Sequence, residues 1–107
     1  MRFAIPVTGE ELDQHFGHCE ALAFVDVVDD TKEIASIEIA SAPKSDHSRL
    51  PALIKERGAT HVIAGGMGMG MYTALEALGV ELIEGAPSGK PAEIVRQYLD
   101  GALQLAE

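Results

Sequence analysis

Cys19 is the only cysteine among 107 residues. An intrachain disulfide, a Cys-x-x-Cys redox pair and a four-cysteine metal site are therefore excluded, and any metal chemistry must recruit other ligands. Basic residues are scarce too, with eight Lys and Arg against seventeen Asp and Glu, for a net charge of −9. That balance argues against a DNA or RNA partner, whose backbone demands a basic surface. It leaves room for a small anion, for which only the field inside a pocket counts. Long apolar runs are also missing, and the first strand is expected to begin at Arg2 or Phe3. With no room there for a signal peptide and no membrane anchor, the expectation is a cytoplasmic protein.

What is present is ordinary for a folded chain: 47% apolar and 23% charged residues. The length suits one hydrophobic core and not two, so residues 1–107 are expected to form a single domain. Phe3 to Val7 reads as a short buried strand with Pro6 near its end, and Thr8 to Gln14 as a loop. Ala21 to Val28 is nearly continuous in apolar residues, which predicts a strand covered on both faces. Ile34 to Ala40 alternates, with Ile37 and Ile39 on one face and Ser36 and Glu38 on the other, as a half-exposed strand would. These two strands should form an antiparallel hairpin.

Ser41 to Ser48 lacks any period and is expected to be a loop, followed by a helix through Leu50, Leu53, Ile54 and Arg57 that Ser48 caps. A βαβ unit comes next: a strand from His61 to Ala64, a helix from Tyr72 to Leu78 closed by Gly79, and a strand from Val80 to Glu84. A last helix carries Ile94, Val95, Tyr98 and Leu99 on one face. The sum is a mixed sheet of about five strands with helices on both sides, a three-layer α/β arrangement.

Between the His61 strand and the following helix lies Gly65-Gly66-Met67-Gly68-Met69-Gly70-Met71, with four glycines in six residues. Glycine serves where a backbone must bend to positive φ or where something approaches it closely. In an open α/β sheet a strand-to-helix loop of this kind is where ligands sit, and a helix N-terminus favours an anion. Neither the G-x-G-x-x-G fingerprint nor a phosphate loop ending in Lys-Ser or Lys-Thr is matched, so a nucleotide is not expected. Met67, Met69 and Met71 alternate, and in an extended loop they would line one side. They are read either as adaptable packing or, more sharply, as thioethers facing a soft metal.

A second concentration is Gln14-His15-Phe16-Gly17-His18-Cys19, which holds two of the four histidines and the cysteine. Imidazole and thiolate suit zinc, iron and copper, making His15, His18 and Cys19 the candidate metal ligands. His15 stands out, because Phe16 and Gly17 suggest an anchored, tightly turned loop that would aim it. For Cys19 the competing assignment is a small buried hydrophobe. Lys44, His47 and Arg49 share one loop and could lend positive charge. His61 reads as a packed strand residue. Asp26, Asp29 and Asp30 are accounted for by a strand end and a turn, and with no paired carboxylates flanking a cleft the chain is expected not to be an enzyme.

Ile5-Pro6-Val7, His15-Phe16-Gly17 followed by Phe24-Val25, Ala64-Gly65-Gly66-Met67-Gly68 and Gly79-Val80, in this order along the whole chain, resemble the dinitrogenase iron–molybdenum cofactor biosynthesis family. The resemblance implies a ribonuclease-H-like three-layer fold without a nuclease's acidic site, with strand order 3-2-1-4-5 and the second strand antiparallel. It implies binding or carriage of an anionic metal–sulfur cluster, of the iron–molybdenum cofactor or precursor type, with His15, Phe16, Gly17 and His18 and the Gly65, Gly66, Met67, Gly68 loop facing it. Lys44, His47 and Arg49 would balance its charge. Partners would be metallocofactor assembly proteins or a recipient metalloenzyme. One member holds a molybdenum–copper sulfide cluster. His18, where the family often has a basic residue, and the methionine-rich loop both move the site towards softer ligation and keep that occupant open, as is a cluster-free interaction module on the same fold.

Overall fold

The computed structural model describes residues 1–42 and 49–106, and Lys44, His47 and Ser48, to which charge-balancing and capping roles were assigned above, lie outside the described residues. Its strands are β1 (Arg2–Thr8), β2 (Glu11–Leu12), β3 (Ala21–Val27), β4 (Ile34–Ser41), β5 (His61–Ile63) and β6 (Glu81–Ile83). The helices are α1 (Leu50–Glu56), α2 (Met69–Ala77) and α3 (Pro91–Leu99), with a 3-10 turn at Phe16–His18. The sheet runs β4-β3-β1-β5-β6, and β2 pairs with β1 off that path. β3 is antiparallel to both of its neighbours, whereas β1, β5 and β6 are mutually parallel. No described helix is long and apolar enough to cross a membrane.

Strand alternation divides β1 between two cores. Phe3, Ile5 and Val7 pack with Ala23, Val25 and Ile63 beneath Ile94 and Val95 of α3. Ala4 faces the opposite way, into a second core with Leu22, Phe24 and Val62 that is covered by Leu50 and Ile54 of α1 and Leu75 of α2. The mixed α/β sheet with helices on both sides is thus as expected. β3 is buried along nearly its whole length, as a continuous apolar run on a central strand should be.

Three local expectations fail. Residues 8–14 are not all loop: Gly9 turns with φ +67° and lets Glu11 and Leu12 fold back onto Thr8 and Val7. Two residues are too few to show a period. Ile37 and Ile39 do not form a buried face, being 46% and 59% exposed. β4 is an edge strand and α3 packs over β1 and β3, so the helix does not reach them. Finally, α2 starts at Met69 instead of Tyr72, which takes three residues out of the glycine loop.

Candidate functional site

Because β1, β5 and β6 are parallel, the segments that follow them emerge at one end of the sheet. After β1 and β2 the chain is held close to the strand end. The Asp13 N–H donates to the Pro6 carbonyl at 2.9 Å, and the Asp13 carboxylate accepts from the Thr8 hydroxyl at 2.6 Å and the His15 N–H at 2.8 Å. These donors, the Thr8 hydroxyl first, hold the Asp13 carboxyl below its usual range. The next residues pair with the glycine loop through a parallel bridge between His15 and Gly66. Its rungs are the Gly66 N–H to the Gln14 carbonyl at 2.9 Å and the Phe16 N–H to the Gly66 carbonyl at 3.1 Å. The loop after β6 joins from the other side, where the Gly85 N–H donates to the Gly65 carbonyl at 2.7 Å.

The glycines divide by what surrounds them. A Cβ on Gly65 would stand 2.7 Å from Gln14 Oε1 and 3.0 Å from Gln14 Cα, and one on Gly66 would stand 3.4 Å from the Gln14 carbonyl oxygen. Gly68 and Gly70 have nothing within 4 Å of that position. Close approach of two chains therefore explains the first pair. Gly68 has another place, as the N-cap of α2: it is extended, no side chain caps the helix, and its first turn carries no acidic residue. The partial positive charge of α2 consequently opens at Gly68 with no carboxylate in its own first turn, and Glu84 borders a neighbouring hollow with Met67, Met69 and Tyr72.

Residues 14–18 and 66–68 enclose a cleft of about 500 Å³. Phe16 is buried in the core with Leu22 and Leu75 and anchors the turn from below, while the exposed His15 and His18 rings stand 5.8 Å apart between centroids. His15, Phe16, Gly17, His18, Gly66, Met67 and Gly68, all expected at the site, line this one cleft, and Gly65 adjoins it. The methionines separate, since those in a helix turn by about 100° per residue. Met67 lines the cleft, Met71 packs against the core, and Met69 is 80% exposed.

Two of the candidate residues are placed elsewhere. Cys19 is 3% exposed, packs in the core with Phe16, and does not line the cleft. Burial pushes its thiol up to about 11, with the Asp13 charge adding to the effect, so the thiolate that a metal would want is disfavoured. In the unfolded chain this thiol ionises from about 9. Its contribution to stability is therefore complete below pH 9 and is lost as pH rises to about 11. Native protein at pH 8 should resist iodoacetamide on a timescale that alkylates the urea-unfolded chain fully; equal rates would place Cys19 at the surface. Arg49 borders a separate hollow with Ser41 and Glu56, on the α1 side. His61 is a packing residue as expected, its ring stacked on Phe3 at 4.7 Å between centroids, and burial lowers its pKa.

Among the described residues no three His, Cys, Asp or Glu side chains converge on a metal position. The cleft instead offers two imidazoles, one thioether and a helix N-terminus. Gln14 and Asp13 escaped the sequence reading. Gln14 directly precedes the His-Phe-Gly motif, but its partners lie more than seventy residues away and no local pattern announces them.

Fold and cleft together define a three-layer α/β protein with a histidine- and glycine-walled cleft at the carboxyl ends of its parallel strands. The model of the family described as dinitrogenase iron-molybdenum cofactor matches residues 1–101, and the chain belongs to that family. The uncharacterized protein MJ0580 of Methanocaldococcus jannaschii is 24% identical over 110 residues, covering 100% of this chain and 92% of that protein. The crystal structure of PH0822 superposes with a TM-score of 0.89 at 27% identity, covering 98% of this chain and 94% of that one. The apo form of the orange protein from Desulfovibrio gigas does so with a TM-score of 0.74 at 20% identity, covering 98% and 92%, a likeness of fold.

Proposed function

We propose that the cleft binds an anionic metal–sulfur cluster, of the iron–molybdenum cofactor or precursor type, and passes it to assembly proteins or a recipient metalloenzyme in the cytoplasm without chemical turnover. The observation that supports this most is the pairing of Gln14–Phe16 with Gly66, which sets His15 and His18 across from the uncapped start of α2. The donor set fits such a cargo. Helix N–H groups and imidazoles stabilise negative charge, while two imidazoles are too few for a closed structural metal site and suit exchangeable binding. Membership in the family points the same way. With this reading goes the finer assignment of the fold as ribonuclease-H-like, the five strands other than β2 following the order 3-2-1-4-5.

A molybdenum–copper sulfide occupant is the second reading, and the Met67 thioether on the cleft wall favours it. Both readings are tested with tetrathiomolybdate, a stable anionic metal sulfide, alone and with Cu(I). The wild-type protein should bind it in an anaerobic titration followed by absorption, and the His15→Ala/His18→Ala double variant should bind at least about tenfold more weakly, roughly the 1.4 kcal/mol that one lost charge-assisted contact represents. Equal affinity in the double variant would remove the cleft as the site. Dependence on Cu(I) would select the second reading.

A further inference from the structure

We infer that Gln14 is the positioning residue of the cleft: its side-chain amide locks the His15 loop to the loop after β6 and, through Gly65, fixes where the two imidazoles stand relative to the start of α2. The functional half of this inference rests on the proposed binding of a metal–sulfur anion. The structural half stands on geometry alone.

Gln14 touches all three loops that emerge at this end of the sheet. Its own carbonyl accepts the Gly66 N–H, and its Cα comes within 3.0 Å of the Cβ position on Gly65. Its Nε2 reaches over Gly65 to donate to the Ala86 carbonyl at 3.0 Å and stands 3.3 Å from the Ser88 hydroxyl. Gly65 is thereby enclosed, with Gln14 on one side and, on the other, the Gly85 N–H that donates to its carbonyl. The amide is well suited to the place, because one group supplies a donor to Ala86 and an oxygen that lies against the bare Cα of Gly65. A carboxylate would face the Ala86 carbonyl with no proton to donate, and an aliphatic side chain would leave that carbonyl, on a residue only 2% exposed, without its donor. His15 follows Gln14 directly, so any slack at Gln14 is slack in the imidazoles. In a site with few coordinating groups, affinity depends on those groups being held in place before the ligand arrives.

The test uses Gln14→Leu, similar in volume but without the amide, and Gln14→Glu. Three quantities are read: amide exchange by NMR at Phe16 and Gly66 with Val25 as the sheet reference, the thermal unfolding midpoint, and tetrathiomolybdate affinity. The expected result is at least about tenfold faster exchange at Phe16 and Gly66 in both variants, with Val25 and the midpoint nearly unchanged and affinity at least about fivefold weaker. Unchanged exchange at Phe16 and Gly66 overturns the inference. So does faster exchange that extends to Val25 with a falling midpoint, which would make Gln14 a general stabiliser, and so does loosening of the loops with affinity undiminished. If the wild-type protein binds no tetrathiomolybdate, the proposed function fails, and the exchange measurements still decide whether Gln14 couples the loops. Ser88→Ala, which removes only the weaker partner, should loosen the same amides by a smaller factor; it is read in the same way if a Gln14 variant does not fold.

Discussion

Gly65→Val is expected to abolish tetrathiomolybdate binding while leaving the chain folded. The residue does not stand at a positive φ, so backbone conformation is not what demands glycine here. Space demands it. Even a bare Cβ would stand 2.7 Å from Gln14 Oε1, 2.9 Å from Gln14 Cδ and 3.0 Å from Gln14 Cα. The amide can swing away, but the Cα belongs to the paired backbone and moves only if the bridge between residues 14–16 and Gly66 opens. A branched side chain adds two methyl groups to that conflict. Overpacking of this kind costs about 1–3 kcal/mol, against about 5–15 kcal/mol of total stability in a domain of this class. The fold should therefore survive with the two walls of the cleft displaced. Gly70→Ala is the control, since nothing lies within 4 Å of its Cβ position and it sits within α2 outside the cleft lining, so its affinity should stay within about twofold of wild type. A Gly65→Val protein that bound the probe normally would show that the approach of the two loops is not what forms the site.

Phe16→Ala should be the most destabilising single change within the motif. The ring is 1% exposed and packs in the core under α1 and α2, with Leu22, Leu50 and Leu75 as fellow members. Truncating a buried phenylalanine costs about 3–5 kcal/mol, through lost burial and the cavity left behind. The damage also reaches the site, because the turn at Phe16–His18 is anchored through this ring. Urea unfolding should show the loss as a lower midpoint with little change in slope. Gly17→Ala, with open space around the added methyl, should leave stability close to wild type. A cost below about 1 kcal/mol for Phe16→Ala would mean that the turn is held by its hydrogen bonds alone.

Much of this protein is legible in order along its chain. The apolar run at Ala21–Val28 announces a central strand, observed over Ala21–Val27, and Gly79 and Gly101, at φ +80° and +73°, end helices where helical spacing stops. The His-Phe-Gly and Gly-Gly-Met-Gly motifs were recognisable as two halves of something. Misplaced residues have a common cause. Cys19 and Ile39 each have a local pattern compatible with two environments, and which one they occupy is decided by what packs over them. For Cys19 it is the core beneath α1 and α2; for Ile39 it is the absence, among the described residues, of a helix above the edge strand. Arg49 belongs to the proposed charge-balancing group, yet at the start of α1 it borders another hollow.

The sequence by itself determined the class of the fold, the acidity that argues against nucleic acid, and the two short motifs, because each is written in residue type and local spacing. Only the tertiary structure decided that these motifs wall one cleft. Parallel pairing of β1 and β5 brings residue 15 beside residue 66, and Gly65 and Gly66 let the chains approach as closely as hydrogen bonding requires. Gln14 reaches across to Ala86, and Cys19 is turned into the core. Contacts between residues fifty to seventy positions apart leave no period in the chain, and the topology of the sheet alone specifies them.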